Sequence, residues 1–468
     1  MNIITGEELG YLKVPPRPRR QFDDLMEYLR EQAPARQSVC ALYGLRRTGK
    51  TTLILQAIRE LVNRGVAADT IGYFTGQKGD TFDDLIIELE ARKKLKYIFV
   101  DEVCFYANFL KSGSYLYDTL VRLYDKKVVI AGTNLLALYL AGKETLYDRC
   151  TTLRVPYLSF YEHCYFVLGA ESPEREDFMG YLQSGGLFQP PEDIPDYVQT
   201  SIVSSVTELF ETQPESEIFP WLKPESEDVD WKRYVNTILL LSSNYVGNKS
   251  FQVPPSLRED MEAVDAGITR RVLRDFRQYF SLTPRDREFR MKRTETVALL
   301  DFLTHCGVIT VLPNLFDDTE PYRCYVQTPF LRFHFTNKLQ SMAGGAAINE
   351  NTPLFGNLLE AAVVSEYMAA HPEARSCFAR THYPPGAGQV AEIDLLDMDA
   401  KRGYEVKLTR SRGYKGFEMV GSLPELAGFQ FELLKDSACI EHIYRWGGEA
   451  YMEMKSESLP LPRGLLRP

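Results

Sequence analysis

A glycine-rich segment near the N-terminus has the residue types and spacing of a phosphate-binding loop. The segment Gly44–Thr51 reads GLRRTGKT and fits the pattern G-x-x-x-x-G-K-[ST] at every position. It lies between a predicted strand, SVCALYG, and a predicted helix, LILQAIRELVNRG. Glycines let backbone N–H groups wrap phosphate oxygens, and the helix N-terminus adds the positive end of its dipole. The residues expected to contact a nucleotide are Gly44, Leu45, Arg46, Arg47, Thr48, Gly49, Lys50, Thr51 and Thr52.

Four side chains are expected to have separate roles in binding and hydrolysing a nucleotide at this loop. Lys50 would reach the β- and γ-phosphates, and Thr51 would be a ligand of Mg²⁺. Asp101 and Glu102 end the apolar run YIFV about fifty residues later, where Asp101 would hold the Mg²⁺ shell and Glu102 would polarise the attacking water. In isolation, an Asp-Glu pair after a strand is also typical of helix capping. The predicted cofactors are therefore ATP and Mg²⁺.

Two further regions carry polar residues that are candidates for the same site. Thr133 and Asn134 end the next buried strand, KVVIAGTN, where a polar side chain would lie beside the γ-phosphate, although a turn there is an alternative. Arg149, in LYDRC, would reach a γ-phosphate in its own subunit or in a neighbouring one, and the alternative is a surface arginine. A role across subunits would require a homo-oligomer.

Several of these segments together resemble a prokaryotic AAA-type ATPase family. The segments are GLRRTGKTT, FVDE, VVIAGTN, LYDRCTTLRVPYLSFYEH and YLQSGGL, with the Leu-Ser-Phe-x-Glu-like stretch at 158–162 and the pair Gly185-Gly186. Members of that family combine an N-terminal ATPase core with a C-terminal domain of long-unknown function. The resemblance implies an ATPase, commonly with a winged helix and a nuclease-like C-terminal domain, and it is most specific in the first 190 residues.

A second candidate site begins with the segment GYEVKLTR near the C-terminus. Glu405 and Lys407 are two residues apart in a predicted strand, so their side chains share one face of it. Buried charges are costly unless they are paired or bind a metal. The pair therefore predicts either a salt bridge on a half-exposed strand or part of a metal site.

The surrounding residues resemble the core of the PD-(D/E)XK nucleases. Glu360 lies in the predicted helix LFGNLLEAAVVSEY, and Asp394 lies in the strand-like run EIDLLDMD, eleven residues before Glu405. The resemblance implies that Asp394 and Glu405 bind Mg²⁺, that Glu360 completes the shell, and that Lys407 orients water or steadies developing charge. The alternatives left open are a salt bridge and a binding site that has lost cleavage.

The order of apolar and amphipathic segments predicts an α/β protein of three parts. Strands alternating with helices predict an AAA-type P-loop domain with a parallel sheet at 1–190. A helical and winged-helix segment is expected at 191–341, where TETVALLDFLTHCGVITVLPN and YRCYVQTPFLRFHF read as helix, strand, turn and strand. A small PD-(D/E)XK-like α/β domain is expected at 342–468, with a helix at 354–370, strands at 377–407, a helix near 423–435 and a terminal strand near 439–445.

A basic segment is the candidate for nucleic-acid contact. The net charge of −10 gives no signal for the chain as a whole, but residues 268–293 carry nine Arg or Lys and three acids. Arg270, Arg271, Arg274 and Arg277 recur at helical spacing and would contact phosphate backbone. The alternative is a solvated helix face that pairs with the acidic segment at 211–230.

Composition narrows the classes of protein further. The eight cysteines are scattered without a CxxC pair, which predicts reduced thiols in a cytoplasmic protein. The six histidines show no ligand spacing, so no zinc site is expected. We find no signal peptide and no apolar run of about 18 residues, so no membrane span is expected.

The motifs together predict an ATP-binding and ATP-hydrolysing protein coupled to a nuclease-like domain and acting on or at DNA. A second reading is a nucleotide-dependent regulatory or signalling switch whose nuclease-like domain binds a protein partner without cleavage. A third is a DNA-binding ATPase that remodels or loads DNA.

Overall fold

The structure is a computed structural model, and the residues that it describes fall into two compact units. The described residues are 1–15, 17–30, 38–133, 146, 148–205, 232, 235, 236, 239, 303, 304, 306–316, 322–342, 346–350, 352–382, 390–408 and 416–457. Those within Met1–Tyr157, Gln199–Ile218 and Glu449–Pro468 form unit 1, and those within Leu158–Val198 and Phe219–Gly448 form unit 2.

Unit 1 is built on a six-stranded sheet. Its strands are β1 (Asn2–Thr5), β2 (Val39–Tyr43), β3 (Ile71–Thr75), β4 (Tyr97–Asp101), β5 (Lys127–Ala131) and β6 (Cys150–Arg154). Their order across the sheet is β1-β3-β4-β5-β2-β6. All neighbours are parallel except β1, which pairs antiparallel with β3 at one edge. The mostly parallel α/β sheet predicted from the sequence is confirmed.

Helices cover both faces of this sheet. They are α1 (Phe22–Arg30), α2 (Lys50–Asn63), α3 (Phe82–Ala91) and the short α4 (Phe109–Ser112). Side chains of β2 alternate between two apolar cores, because Val39 and Ala41 lie in one and Cys40 and Leu42 in the other. Helices α1 and α2 contribute to the second core, and α3 and α4 to the first. The sheet is therefore buried on both faces, as its continuous apolar strands predict.

Shorter helical segments complete this unit. The 3-10 segments are Gly6–Tyr11, Ala68–Thr70 and Val103–Phe105, and the π-helical segments are Leu116–Val121 and Gln199–Val203.

Unit 2 contains a four-stranded mixed sheet and a separate hairpin. The hairpin is β7 (Ile309–Pro313) with β8 (Tyr322–Val326), and the sheet contains β9 (Ser376–His382), β10 (Val390–Asp397), β11 (Arg402–Lys407) and β12 (Gln430–Lys435). The order in the sheet is β12-β11-β10-β9, with β11 and β12 parallel and the other neighbours antiparallel. The strands expected within 377–407 are confirmed.

Unit 2 also contains helices, the last of which continues into residues assigned to unit 1. They are α5 (Phe160–His163), α6 (Arg175–Ser184), α7 (Ile194–Val198), α8 (Pro329–Met342), α9 (Pro353–Ala370), α10 (Gly416–Gly421) and α11 (Asp436–Glu457), with a π-helical segment at Cys164–Leu168 and a 3-10 segment at Pro424–Leu426. The main core joins α9, α11, β10 and β11 through side chains such as Val363, Ile443, Leu395 and Tyr404. A smaller core that includes Ile393 and Val420 joins β10 to α10.

Two predictions near the C-terminus are wrong. The helix expected near 423–435 is instead strand β12, because QFELLK forms a parallel ladder with β11 that outweighs its helix-forming residues. The terminal strand expected near 439–445 is part of α11. Its buried Cys439, Ile443, Trp446 and Ala450 recur at helical spacing, and they identify the apolar face of that helix.

The strand expected from YRCYVQTPFLRFHF is correct only in its first half. Residues Tyr322–Val326 form β8, but α8 begins at Pro329, where a proline is compatible with the first turn of a helix. The helix expected before β7 lies mostly outside the described residues, so the winged helix stays a prediction. The predicted domain boundaries at 190/191 and 341/342 also stay predictions.

Two other observations concern composition. All eight cysteines are free thiols, as the sequence predicts. Among the helices in the described part of the chain, none is both long enough and apolar enough to cross a membrane.

Candidate functional site

The loop between β2 and α2 has the backbone geometry that its glycines predict. Gly44 has a φ of 154° and Gly49 a φ of 96°, both in the region that favours glycine. A Cβ atom on Gly44 would lie 2.2 Å from the carbonyl oxygen of Val155, so no other residue fits there. Arg47 also has a positive φ, of 65°. The strand, the loop and the helix therefore follow one another as the motif requires.

Lys50 is buried at the first turn of α2, and its ammonium group rests on neutral partners. It donates to the carbonyl oxygens of Gly44 and Leu45, at 2.8 Å each. Burial lowers the pKa of Lys50 to about 8, although the nearby Glu102 and Asp101 raise it. An anion that accepted hydrogen bonds from Lys50 would restore its usual pKa, as expected of a phosphate ligand.

Thr51 and Asp101 meet across the two elements that carry them. The hydroxyl of Thr51 donates to Oδ2 of Asp101 at 2.6 Å, and the hydroxyl of Tyr73, on β3, donates to the same oxygen at 3.1 Å. Asp101 is buried at the end of β4. Hydroxyl and carboxylate oxygens are hard ligands, so this pair suits Mg²⁺. Tyr73 was not anticipated from the sequence.

Glu102 and Thr133 follow two neighbouring parallel strands, β4 and β5. The Thr133 hydroxyl donates to Oε2 of Glu102 at 2.9 Å. Burial raises the pKa of Glu102, the Asp101 carboxylate raises it further, and the Thr133 bond opposes both. A carboxylate with a raised pKa at the edge of the nucleotide loop is suited to accept a proton from water.

A buried arginine that was not predicted from the sequence, Arg19, hydrogen-bonds to the backbone of the loop. One nitrogen of Arg19, Nη1, donates to the carbonyl oxygen of Thr48 at 2.6 Å and to that of Pro156 at 2.9 Å. Arg19 is only 2% exposed. It therefore ties the loop backbone to the segment that follows β6. Its position in the Pro- and Arg-rich start of the chain gave no local signal of this role.

Two predicted contacts of the nucleotide, Asn134 and Arg149, have different outcomes. Asn134 lies outside the described residues. Arg149 precedes β6, and its carbonyl oxygen accepts from the backbone of Val39, at the opposite end of β2 from the loop. Its side chain pairs with Asp118 at 3.2 Å and lies over the ring of Tyr117. The contact of Arg149 with a γ-phosphate stays a prediction.

In unit 2, the structure brings together the four residues predicted for the second site. Glu360 comes from α9, Asp394 from β10, and Glu405 and Lys407 from β11. Leu395 pairs with Tyr404, so Asp394 and Glu405 are the next residues on these two antiparallel strands. The register of β10 shifts between Ile393 and Leu396, an irregularity that includes Asp394 and re-aims its side chain. The backbone N–H of Val406 donates to Oδ2 of Asp394 at 2.9 Å.

A residue that the sequence did not indicate, Arg323 of β8, lies at the centre of these carboxylates. Its guanidinium is fully buried and contacts Glu360 at 3.2 Å, Asp394 at 3.4 Å and, closely, Glu392. It lies over the ring of Phe378 at 4.2 Å. We call the carboxylates Glu360, Glu392, Asp394 and Glu405, together with Arg323 and Lys407, the acidic cluster.

The carboxylates of the acidic cluster are incompletely compensated. Lys407 pairs closely with Oε1 of Glu405, whereas Oε2 of Glu405 is buried without a hydrogen-bond partner. Burial and the neighbouring Asp394 raise the pKa of Glu405 well above its usual value, and the same two causes raise that of Glu360 to about 8. Burial also raises the pKa of Asp394, although Lys407 and Arg323 oppose it.

The acidic cluster does not fit a divalent cation while Arg323 is in place. Its carboxylates are hard ligands, and the partnerless oxygen of Glu405 suits a cation. However, one oxygen of Asp394 and one of Glu360 already accept from Arg323, whose positive charge lies between them. Within the described ranges, no three His, Cys, Asp or Glu side chains are arranged to hold a metal ion.

The basic segment at 268–293, with Arg270, Arg271, Arg274 and Arg277, lies outside the described residues. Its contact with nucleic acid therefore stays a prediction.

A comparison with protein families identifies one match. Residues 36–164 match the family model described as an AAA domain. A search of curated proteins finds no match. The matched residues contain the loop, β4 with Asp101 and Glu102, and β5 with Thr133.

Solved structures with some similarity include three proteins. The ORC2 protein of Aeropyrum pernix is 13% identical, with a TM-score of 0.34 and coverage of 74% of this chain and 100% of that one. The ORC1 protein of Aeropyrum pernix in complex with DNA is 13% identical, with a TM-score of 0.27 and coverage of 70% and 94%. AMPPCP-bound DnaA from Aquifex aeolicus is 15% identical, with a TM-score of 0.25 and coverage of 64% and 91%. TM-scores this low support no conclusion about function.

The family match and the described sheet agree on the first region. Residues 36–164 resemble an AAA domain, and their mostly parallel sheet positions a phosphate-binding loop beside Asp101 and Glu102.

Proposed function

We propose that unit 1 binds ATP with Mg²⁺ and hydrolyses it. The observation that carries this proposal is the contact of 2.6 Å between Thr51, on the helix after the loop, and Asp101, at the end of β4. It joins the two halves of an expected magnesium site. Lys50 directly precedes Thr51 in the chain, and Glu102 directly follows Asp101. Burial lowers the pKa of Lys50 to about 8 and raises the pKa of Glu102.

Each residue then has a distinct part in the reaction. Lys50 exchanges the carbonyl oxygens of Gly44 and Leu45 for phosphate oxygens. Thr51 and Asp101 hold the cation, which when bound neutralises charge on the phosphates. Glu102, oriented by Thr133, accepts the proton of the attacking water.

The test is ATP hydrolysis by the full chain and by Lys50→Ala. The variant should lose hydrolysis. Lys126→Ala is a matched control, because Lys126 is also buried and also donates to a backbone carbonyl, that of Lys93 at 3.3 Å, without touching the loop. Hydrolysis by Lys50→Ala at the wild-type rate would refute the assignment.

A second candidate function concerns the acidic cluster in unit 2. We propose that it is a phosphodiester-cleaving site of the PD-(D/E)XK type acting on DNA. The convergence of Glu360, Asp394, Glu405 and Lys407 favours this proposal, as does the order helix, three strands, helix and strand from α9 to β12. DNA as the substrate rests on the predicted basic segment at 268–293.

The test of the second candidate is cleavage of plasmid and single-stranded DNA in the presence of Mg²⁺ or Mn²⁺, with and without ATP. Cleavage should be lost in Lys407→Ala and in Asp394→Asn. Lys435→Ala is the matched control, because Lys435 is the register partner of Lys407 on β12. Absence of cleavage in the wild type under all conditions would favour the alternative, a nucleotide-dependent switch in which unit 2 binds a protein partner.

A further inference from the structure

Arg323 is a buried cation in a hairpin whose strands are mostly buried. It belongs to β8, which pairs with β7, and its side chain has no exposed area. Three hydrogen bonds anchor the hairpin to β9. Leu315 donates its N–H to the carbonyl oxygen of Phe378 at 2.7 Å, the Asn314 amide donates to the carbonyl oxygen of Arg380 at 3.1 Å, and the Arg380 N–H donates to Oδ1 of Asn314 at 3.0 Å. The hairpin thereby delivers a cation into the sheet that carries the acidic cluster.

One nitrogen atom of Arg323 contacts both Glu360 and Asp394, two of the carboxylates predicted to bind a metal ion. Its Nη1 lies 3.2 Å from Oε1 of Glu360 and 3.4 Å from Oδ1 of Asp394. The other terminal nitrogen is taken by Glu392. Nη1 therefore lies between a helix carboxylate and a strand carboxylate, the two side chains that would help to hold a divalent cation.

We propose that Arg323 is a built-in competitor for a divalent cation at the acidic cluster. The cluster accepts Mg²⁺ or Mn²⁺ only when the guanidinium leaves Glu360 and Asp394. This inference rests on the proposed metal-dependent role of the cluster, and it assigns the regulation of that site to the hairpin β7–β8.

Electrostatics support competition rather than coexistence. Mg²⁺ requires oxygen ligands at about 2.0–2.1 Å in near-octahedral geometry. The space beside one oxygen of Glu360 and one of Asp394 is already taken by Nη1 of Arg323. Two cations in one buried site also repel each other strongly. The buried Oε2 of Glu405, which lacks a partner, shows that Arg323 and Lys407 leave one ligand position unsatisfied. Arg323 therefore occupies the acidic cluster but leaves one buried carboxylate oxygen without a partner.

The experiment measures Mn²⁺ binding to the nucleotide-free full chain by calorimetry and by thermal unfolding. Wild type and Arg323→Gln are compared. We expect Mn²⁺ affinity to rise at least about tenfold in Arg323→Gln. We also expect Mn²⁺ to raise the unfolding temperature of this variant more than that of the wild type, because the ion replaces the lost positive charge.

Two controls assign the effect. Arg380→Gln removes another cation near Glu392, at 3.9 Å from its carboxylate, and its Mn²⁺ affinity should match the wild type. The double variant Arg323→Gln/Asp394→Asn should lose the gained affinity. That loss would place the additional Mn²⁺ at the cluster and not at the loop of unit 1.

Two results would overturn the inference, and they are distinguishable. Equal Mn²⁺ affinity in wild type and Arg323→Gln, lost in both on Asp394→Asn, would keep the metal site but remove the competition. Absence of any binding that depends on Asp394 would remove the proposed metal site itself. If Arg323→Gln does not fold, Arg323→Met serves in its place, because methionine is a flexible side chain without charge. A Mn²⁺ affinity for Arg323→Met equal to that of the wild type would also count against the inference.

Discussion

The nucleotide loop of unit 1 and the acidic cluster of unit 2 each contain one buried cation, but the partners of the two cations differ. Lys50 rests on two neutral carbonyl oxygens, whereas Arg323 contacts three carboxylates. The ammonium group in the loop therefore hydrogen-bonds to no carboxylate, although Glu102 and Asp101 lie close enough to raise its pKa. The cluster has more carboxylates than cations and retains a buried oxygen without a partner.

The difference shows how each site is prepared for its ligand. Carbonyl oxygens release an ammonium group at a modest cost, because no formal charge is left uncompensated. Removing a guanidinium from buried carboxylates is costly unless another cation takes its place. Lys50 is thus ready to exchange its partners for phosphate, and the cluster exchanges Arg323 only for another cation.

The largest effect that distinguishes the two cations is expected in stability. Arg323→Ala should destabilise unit 2 by about 3–5 kcal/mol, because it leaves buried carboxylates unpaired. Lys50→Ala should change the stability of unit 1 much less, since it removes a desolvated charge that has no ionic partner. Denaturant unfolding of the full chain, followed by probes in each unit, measures both. Equal losses in the two variants would contradict the comparison.

Hydrolysis should depend on Glu102 more than binding does. Glu102→Gln is expected to lower kcat by about 100-fold or more and to leave ATP affinity within a few-fold, because the amide cannot accept the proton of water. Steady-state hydrolysis and equilibrium binding of ATP provide the two numbers. A parallel loss of affinity and of kcat would instead indicate that Glu102 contacts the nucleotide or its metal.

The magnesium dependence of ATP binding tests the contact between Thr51 and Asp101. Thr51→Val removes one ligand and should weaken ATP binding in Mg²⁺ by between about ten- and one hundredfold, with little change in EDTA. Tyr73→Phe is the matched control, because it removes the other hydroxyl on the same oxygen of Asp101. If Tyr73→Phe has the larger effect, Thr51 is not the ligand.

The smallest predicted effect is in pH dependence. The pKa of Lys50 is lowered to about 8 by burial, so the free protein loses this positive charge as the pH rises through that value. ATP binding then requires uptake of a proton, and affinity should fall about tenfold between pH 7 and pH 9. Glu102→Gln removes a neighbour that raises this pKa, so the fall should begin at lower pH. A flat profile from pH 7 to pH 9 would show that Lys50 remains charged throughout.

The two sites also differ in how far the sequence predicts them. The loop is contiguous, and its strand and helix are marked by apolar runs, so local pattern alone locates Gly44–Thr51 and the Asp101–Glu102 pair. The cluster is assembled from four elements of unit 2. Spacing predicts Glu360, Asp394, Glu405 and Lys407, but Arg323 lies 37 residues before Glu360 and has no local motif.

Tertiary contacts explain what the sequence did not predict. Arg19 is recognisable only through the carbonyl oxygens of Thr48 and Pro156, which fold against it from elsewhere in the chain. The segment QFELLK has a helical composition and becomes a strand because β11 offers a parallel partner. The short strand β1 forms only because the edge of β3 is available to it.

The central claim is that Lys50 supplies the positive charge with which the loop of unit 1 binds the phosphates of a nucleotide. Its most direct test is calorimetric titration of ATP in Mg²⁺ into wild type, Lys50→Ala and Lys126→Ala. The account predicts binding by wild type and Lys126→Ala and at least about a hundredfold loss of affinity in Lys50→Ala. ATP binding to Lys50→Ala with wild-type affinity would contradict it.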